Sequence, residues 1–167
     1  MWWKDKTSDG QTANPAPMPE QKGTRDLLLE TLTTMGCQYE FSDDEDDDRI
    51  GFAYQGEYFI VAASNDSKIV HVLDLQWEHV ELYDIDEFSR MKRAINEANL
   101  QTIVTTCYTI DKEGSNVFVH SKLSFVFIPE IPKLDDYLGS MLNLFFHTHH
   151  FVNNEMVKLR DKERAAE

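Results

Sequence analysis

Between residues 24 and 160 the hydrophobic positions follow first a helical and then a two-residue period, switching several times along the chain. Leu28, Leu32 and Met35 share one helical face with Leu29 beside them, Thr24 stands where an N-cap would, and Gly36 offers a left-handed stop. These residues predict a first helix. The period then drops to two. Tyr39 and Phe41 alternate with polar neighbours, the run Asp43 to Asp48 makes a turn, and Ile50, Phe52 and Tyr54 resume the alternation. Gln55-Gly56-Glu57 turns into a strand from Tyr58 to Ala63, and Asn65-Asp66 turns into another from Lys68 to Val80. Connections this short join antiparallel hairpins, not parallel crossovers.

A second helix opens at Asp84, with Glu87 three residues on as in a capping box. Phe88, Met91, Ile95 and Ala98 give it a buried face, and Asn99 marks its end. Strands from Gln101 to Ile110 and from Asn116 to Ile128 flank the turn Asp111-Lys112-Glu113-Gly114. Pro129 and Pro132 break the sheet, and a last helix runs from Lys133 to near Arg160. The predicted order is α-β-β-β(β)-α-β-β-α, an α+β fold with helices packed on an antiparallel sheet. Residues 24–160 make one domain. Residues 1–23, with Pro15, Pro17 and Pro19 among Thr, Ser, Gln and Gly, read as a disordered N-terminal tail in which Trp2 and Trp3 are unusual. Residues 161–167 read as a frayed C-terminal end.

Several local pieces of this pattern resemble the YbjN-like family. They are the opening helix ending at Gly36, the aromatic strand Tyr39-Glu40-Phe41 entering an acidic turn, Ile50-Gly51-Phe52, and the Gly56 turn. The helix end Ala94-Ile95-Asn96-Glu97-Ala98-Asn99, running into a strand, a turn of the form Asp-x-x-Gly and a second strand, is the most telling piece. The resemblance spans roughly residues 24 to 160. It implies a fold like that of type III secretion chaperones and a non-enzymatic, partner-binding scaffold, often labelled a sensory-transduction regulator. It carries over no catalytic residue. The length of the acidic run and the histidines of the last helix depart from the family pattern.

Charge narrows the classes of partner. Sixteen basic side chains face 30 acidic ones, a formal −14, and the three lysines and three acids of residues 1–23 cancel, so the domain carries it all. Such a field repels phosphate backbones and anionic headgroups, which argues against nucleic acid and membrane surfaces. No apolar run approaches the roughly 20 residues of a spanning helix, and no apolar region follows Met1-Trp2-Trp3-Lys4-Asp5 as in a secretory signal. The expected compartment is the cytoplasm, with Cys37 and Cys107 as reduced, structural thiols.

Candidate chemistry is sparse. The acidic run Asp43 to Asp48 invites calcium, but an EF-hand loop needs Gly at its sixth place and Glu at its twelfth. Counted from Asp44 those places hold Arg49 and Gln55, and counted from Asp43 they hold Asp48 and Tyr54. The run reads instead as a solvated hairpin tip. His147-Thr148-His149-His150 invites zinc, yet a helix turns about 100° per residue, so these histidines diverge. Ser121, Ser124 and Ser140 lack a nucleophile-elbow motif, and the seven glycines are scattered through turns. Cys107 and His120 lie on neighbouring predicted strands, where Cys107 reads as a small packed residue. No catalytic, cofactor-binding or metal-binding residue is assigned.

The last helix is the informative element. Leu134, Leu138, Met141, Leu142, Phe145, Val152 and Met156 form one stripe with His149 at its centre. Leu144 and Phe151 widen the stripe on one side, Phe146 and Val157 on the other. Either the helix packs between the sheet and another helix of the chain, or Leu144, Phe146, Phe151 and Val157 form an interface for a homodimer or a protein partner. The functional expectation is a non-enzymatic protein-interaction module, a chaperone-like or regulatory adaptor. The alternative is a small enzyme or metal-dependent protein whose site assembles from distant segments.

Overall fold

The computed structural model describes residues 22–42 and 49–166. The acidic turn Asp43 to Asp48 and nearly all of the N-terminal tail lie outside the described residues. The first helix, α1, spans Thr24–Thr34. Its N-cap is Gly23 and not Thr24, whose hydroxyl donates instead to the Phe127 carbonyl at 3.2 Å. The capping acceptor comes from far along the chain: Asn65 Oδ1 accepts from the Asp26 N–H at 3.1 Å, and Asn65 Nδ2 donates to Asp26 Oδ2 at 3.2 Å. A free N–H of the first turn is thus satisfied by a distant loop. The helix buries Leu27, Leu28, Thr31 and Leu32, with Leu29 and Met35 partly buried beside them. It ends at Gly36, whose φ of +75° lets Cys37 N–H reach Leu32 O at 2.9 Å.

Six antiparallel strands follow: β1 (Tyr39–Phe41), β2 (Arg49–Tyr54), β3 (Glu57–Ala62) and β4 (Ile69–Glu81), then β5 (Thr105–Ile110) and β6 (Asn116–Val126) after the helix α2 (Ile85–Gln101). The helix α3 (Leu134–Arg164) closes the chain. The strands lie in the order β1-β2-β3-β4-β6-β5. The expected order of elements and the α+β class are both observed.

Strand alternation divides the sheet into a face under the helices and an open face. Ile50, Phe52, Phe59, Val61, Val70, Val72 and Leu123 point to the helices and meet Leu28, Leu32, Leu138, Leu142 and Phe145 in a first apolar cluster. Val80 and Val119 meet Met91, Ala94, Ile95, Ala98, Val152 and Met156 in a second. The helix α3 contributes to both. Tyr58, Ile69 and Val126 stand exposed on the open face.

Two ends differ from the sequence pattern. The helix α2 runs past Asn99 to Gln101 because Asn99 acts through its side chain. Its Oδ1 accepts from Thr106 N–H at 2.8 Å and its Nδ2 donates to Thr106 O at 2.9 Å, occupying the free edge of β5 as a neighbouring strand would. Asn99→Ala should cost about 1 kcal/mol and speed amide exchange at Thr106, measurable by urea unfolding and hydrogen exchange. The helix α3 continues one turn beyond Arg160, since Arg160 and Glu163 are engaged with Glu87 and Arg90 of α2.

Candidate functional site

The strand β4 is interrupted between Asp74 and Glu78, where its pairing to β6 shifts register. Asp74 opposes Ser121 and Glu78 opposes Val119, so Leu75, Gln76 and Trp77 together face His120. Gln76 takes a positive φ of 57°, and its N–H donates to His120 Nδ1 at 3.3 Å. A bulge of this kind re-aims the side chains beside it. Here it turns Trp77 inward, against the second apolar cluster.

Trp77 lies flat on His149 of α3, ring centroids 4.0 Å apart and planes 19° from parallel. Its Nε1–H donates to Ser121 Oγ at 3.0 Å, and Ser121 Oγ pairs with Thr106 Oγ1 at 3.1 Å. On the same face, His149 Nε2 lies 3.3 Å from Asp74 Oδ2. Asp74 is 1% exposed and His149 9%. Among the described residues these two atoms are the buried side-chain polar atoms without a hydrogen-bond partner. Burial, with a smaller contribution from Glu57, pushes the Asp74 carboxyl up to about 7. Burial, with a smaller contribution from His150, pushes His149 down to about 4. Both groups favour their neutral forms, a buried acid facing a buried imidazole. Sequence periodicity placed His149 at the centre of the helical stripe, but Asp74 carried no signal among 30 acidic residues.

The four expected interface residues separate. Leu144 and Phe146 are half-buried against the first cluster. The Phe146 ring meets Tyr54 at 6.3 Å and Phe59 at 6.1 Å. Phe151 is half-buried against the second cluster. Packing within the chain thus takes up much of the wide apolar arc, leaving Val157, 49% exposed, with the most open apolar surface of the four.

The other sequence candidates disperse. His147 and His150 are exposed while His149 is buried. Among the described residues no group of three His, Cys, Asp or Glu could hold a metal. Ser124 pairs with His71 at 2.7 Å on the open sheet face, and Ser140 donates to Asp136 O at 2.8 Å. Cys107 sits directly opposite His120, but it is exposed on the edge strand and not packed as expected, because that position points to the open face. His120 Nε2 is engaged by Thr109 Oγ1 at 2.6 Å. Cys37 and Cys107 are free thiols, and burial raises the Cys37 pKa.

Val157 lies at an open cleft of about 480 Å³ between the end of β4, the start of α2 and the last turns of α3. Val80, Met91 and Met156, all buried, form its floor. Its α2–α3 side is electrostatically closed. Glu87 accepts from Arg160 and from Arg90 Nε at 2.9 Å, and Arg90 Nη1 reaches Glu163 at 2.5 Å. The bond from Arg160 is the main cause holding the Glu87 carboxyl below its ordinary value. Its β4 side carries Glu78, Glu81 and Asp84. Asp84 Oδ1 also caps α2, accepting from Glu87 N–H at 3.0 Å as the sequence predicts.

The described residues contain no helix long and apolar enough to cross a membrane. No curated protein matches the chain. Among solved structures it is similar in fold to an uncharacterized protein from Methanothermobacter thermautotrophicus, with a TM-score of 0.51 and 8% identity over 83% of this chain and 98% of that one. The family model YbjN, described as "Putative bacterial sensory transduction regulator", matches residues 24–125. That span covers more than half of the chain, helix α1 through nearly all of β6, and the protein belongs to the YbjN family.

Proposed function

We propose that this chain is a non-enzymatic protein-interaction module of the cytoplasm, a regulatory adaptor that binds another polypeptide. The observation that carries this reading is Val157, an apolar side chain standing open on an otherwise packed helix at the mouth of a cleft. The family description as a regulator points the same way. The most perturbed acid and imidazole, Asp74 and His149, face each other in the interior and couple α3 to the sheet. The interface is centred on Val157, on the flank of α3 that also carries the outer edge of Phe146, while Leu144 and Phe151 lie on the opposite flank against the chain's own clusters.

Affinity capture with the tagged chain, run beside Val157→Asp and paired with sedimentation analysis, tests the proposal. The expected result is a specific partner, or self-association, shown by the parent and lost by a variant with an unchanged circular dichroism spectrum. A monomer that retains nothing, or association indifferent to Val157→Asp, overturns it.

A further inference from the structure

The cleft beside Val157 has two unlike sides, and their chemistry specifies an occupant. Glu87 on the α2 side is already neutralised by Arg160 and Arg90. On the β4 side, Glu78, Glu81 and Asp84 have no salt-bridge partner among the described residues. Arg160 feels the charge of Glu78, but its hydrogen bonds go to Glu87. The carboxylates of Glu78 and Asp84 accept only local backbone N–H groups, from His79 at 2.9 Å and Glu87 at 3.0 Å.

Between these sides Val157 stands open on α3, with the buried Met91 and Met156 beneath it and the polar His79 and Asn153 beside it; Tyr83 and Ile85, 72% and 75% exposed, flank the cleft residue Asp84 in the chain. Exposed aliphatic and aromatic side chains around a methionine-floored cleft suit a partner that brings apolar side chains of its own, since methionine adapts its shape to what it meets. Glu78 shares the field of Arg160 and Glu81 accepts from Tyr83, but the rim has no salt bridge of its own among the described residues, and its excess negative charge favours a partner with cations along one edge. A second copy of this chain fits poorly, because its domain carries the same −14.

We infer that the cleft takes a basic amphipathic segment of another polypeptide. Its apolar face lies on Val157 and the methionines, and its lysines or arginines on Glu78, Glu81 and Asp84. This inference rests on the interaction reading above and names the chemistry of the partner.

The probe is a short, labelled helical peptide with leucines on one face and lysines on the other, titrated by fluorescence anisotropy into the full chain. A comparator peptide keeps the lysines and replaces the leucines by glutamine. Glu78→Gln/Glu81→Gln should weaken binding of the leucine–lysine peptide about tenfold, and Val157→Gln several-fold. Asp135→Asn/Asp136→Asn, which removes equal charge from the far end of α3, should leave binding unchanged, and the comparator should bind much more weakly. Equal weakening by the two double variants would mean general attraction to an acidic protein and would overturn the inference. So would equal binding of the comparator, or no binding. If the peptide fails while Val157-dependent association persists in the capture experiment, the interaction reading stands and only the basic partner is lost.

Discussion

At pH 8 the Asp74→Asn variant should be more stable than the parent by about 2 kcal/mol, and at pH 5 by less than half of that. The sign follows from which form of each buried group the fold tolerates. The Asp74 carboxyl is raised from 3.8 to about 7, so between those values the folded chain holds a proton that the unfolded chain has released. Its contribution is present at low pH and is lost as pH rises through 7. His149 is lowered from 6.5 to about 4, so over most of the same window the unfolded chain holds the extra proton, and stability from this group is gained as pH rises. From about pH 4.5 to 6 the two contributions nearly cancel in the parent; above that the ionising Asp74 dominates and stability falls.

Asparagine removes the ionisation and can donate its amide N–H to His149 Nε2. The variant therefore keeps only the histidine contribution and should gain stability between pH 4 and 6.5, where the parent is nearly flat. The full carboxyl shift would correspond to about 4 kcal/mol, and local relaxation around a buried charge halves it. His150 acts on His149 in both proteins and drops out of the difference, whereas Glu57 repels only the Asp74 carboxylate and is part of it. Chemical denaturation of both proteins at pH 5, 6.5 and 8 is the measurement. A variant destabilised by a similar amount at every pH would show that Asp74 is held as an anion.

The second large effect lies in the first cluster. Phe59→Ala should destabilise by about 4 kcal/mol, a large share of the 5 to 15 kcal/mol, roughly, of a typical domain. Phe59 is fully buried at the centre of β3. Its ring stacks on Phe52 at 5.8 Å and meets Phe145 edge-on at 5.3 Å, joining two strands to α3. The cavity left by alanine would be walled by rings fixed on a sheet and a long helix, which cannot close on it. Phe59→Leu, expected to lose about 1 to 2 kcal/mol, keeps the measurement available if the alanine variant does not fold. A loss below about 1 kcal/mol for alanine would mean that the sheet and α3 are not packed through this ring.

The features readable in the sequence were those whose cause is local. Gly36 stops α1 and Asp84 caps α2 because each acts on backbone within a few residues. Thr24 looks like a cap in the sequence because the true partner, Asn65, lies 39 residues from the N–H that donates to it. Asn99 looks like a terminator, while its amide faces a strand formed seven residues later. The β4 bulge was hidden for a different reason. In Leu73-Asp74-Leu75-Gln76-Trp77 a plain alternation puts Leu73, Leu75 and Trp77 on one face, while the structure leaves Leu75 exposed and buries Asp74. The breadth of the apolar arc on α3 was legible, but its division between the chain's own packing and open surface was not. That division depends on how closely α2 and the sheet approach each side, which no periodicity encodes. The acids of the cleft had no signature either, since only their distance from a cation sets them apart.

The length of α3 has a mechanical consequence. Its 31 residues make a rod about 46 Å long, seated at one end against the first cluster and at the other against the second. Leu138 and Val157 are 19 residues apart, about 28 Å along the axis, yet they share one uninterrupted helix. A load applied at Val157 that rolls or slides the rod is therefore delivered to Leu138, Phe145 and the strands beneath them, with the Asp74–His149 contact as the pivot midway.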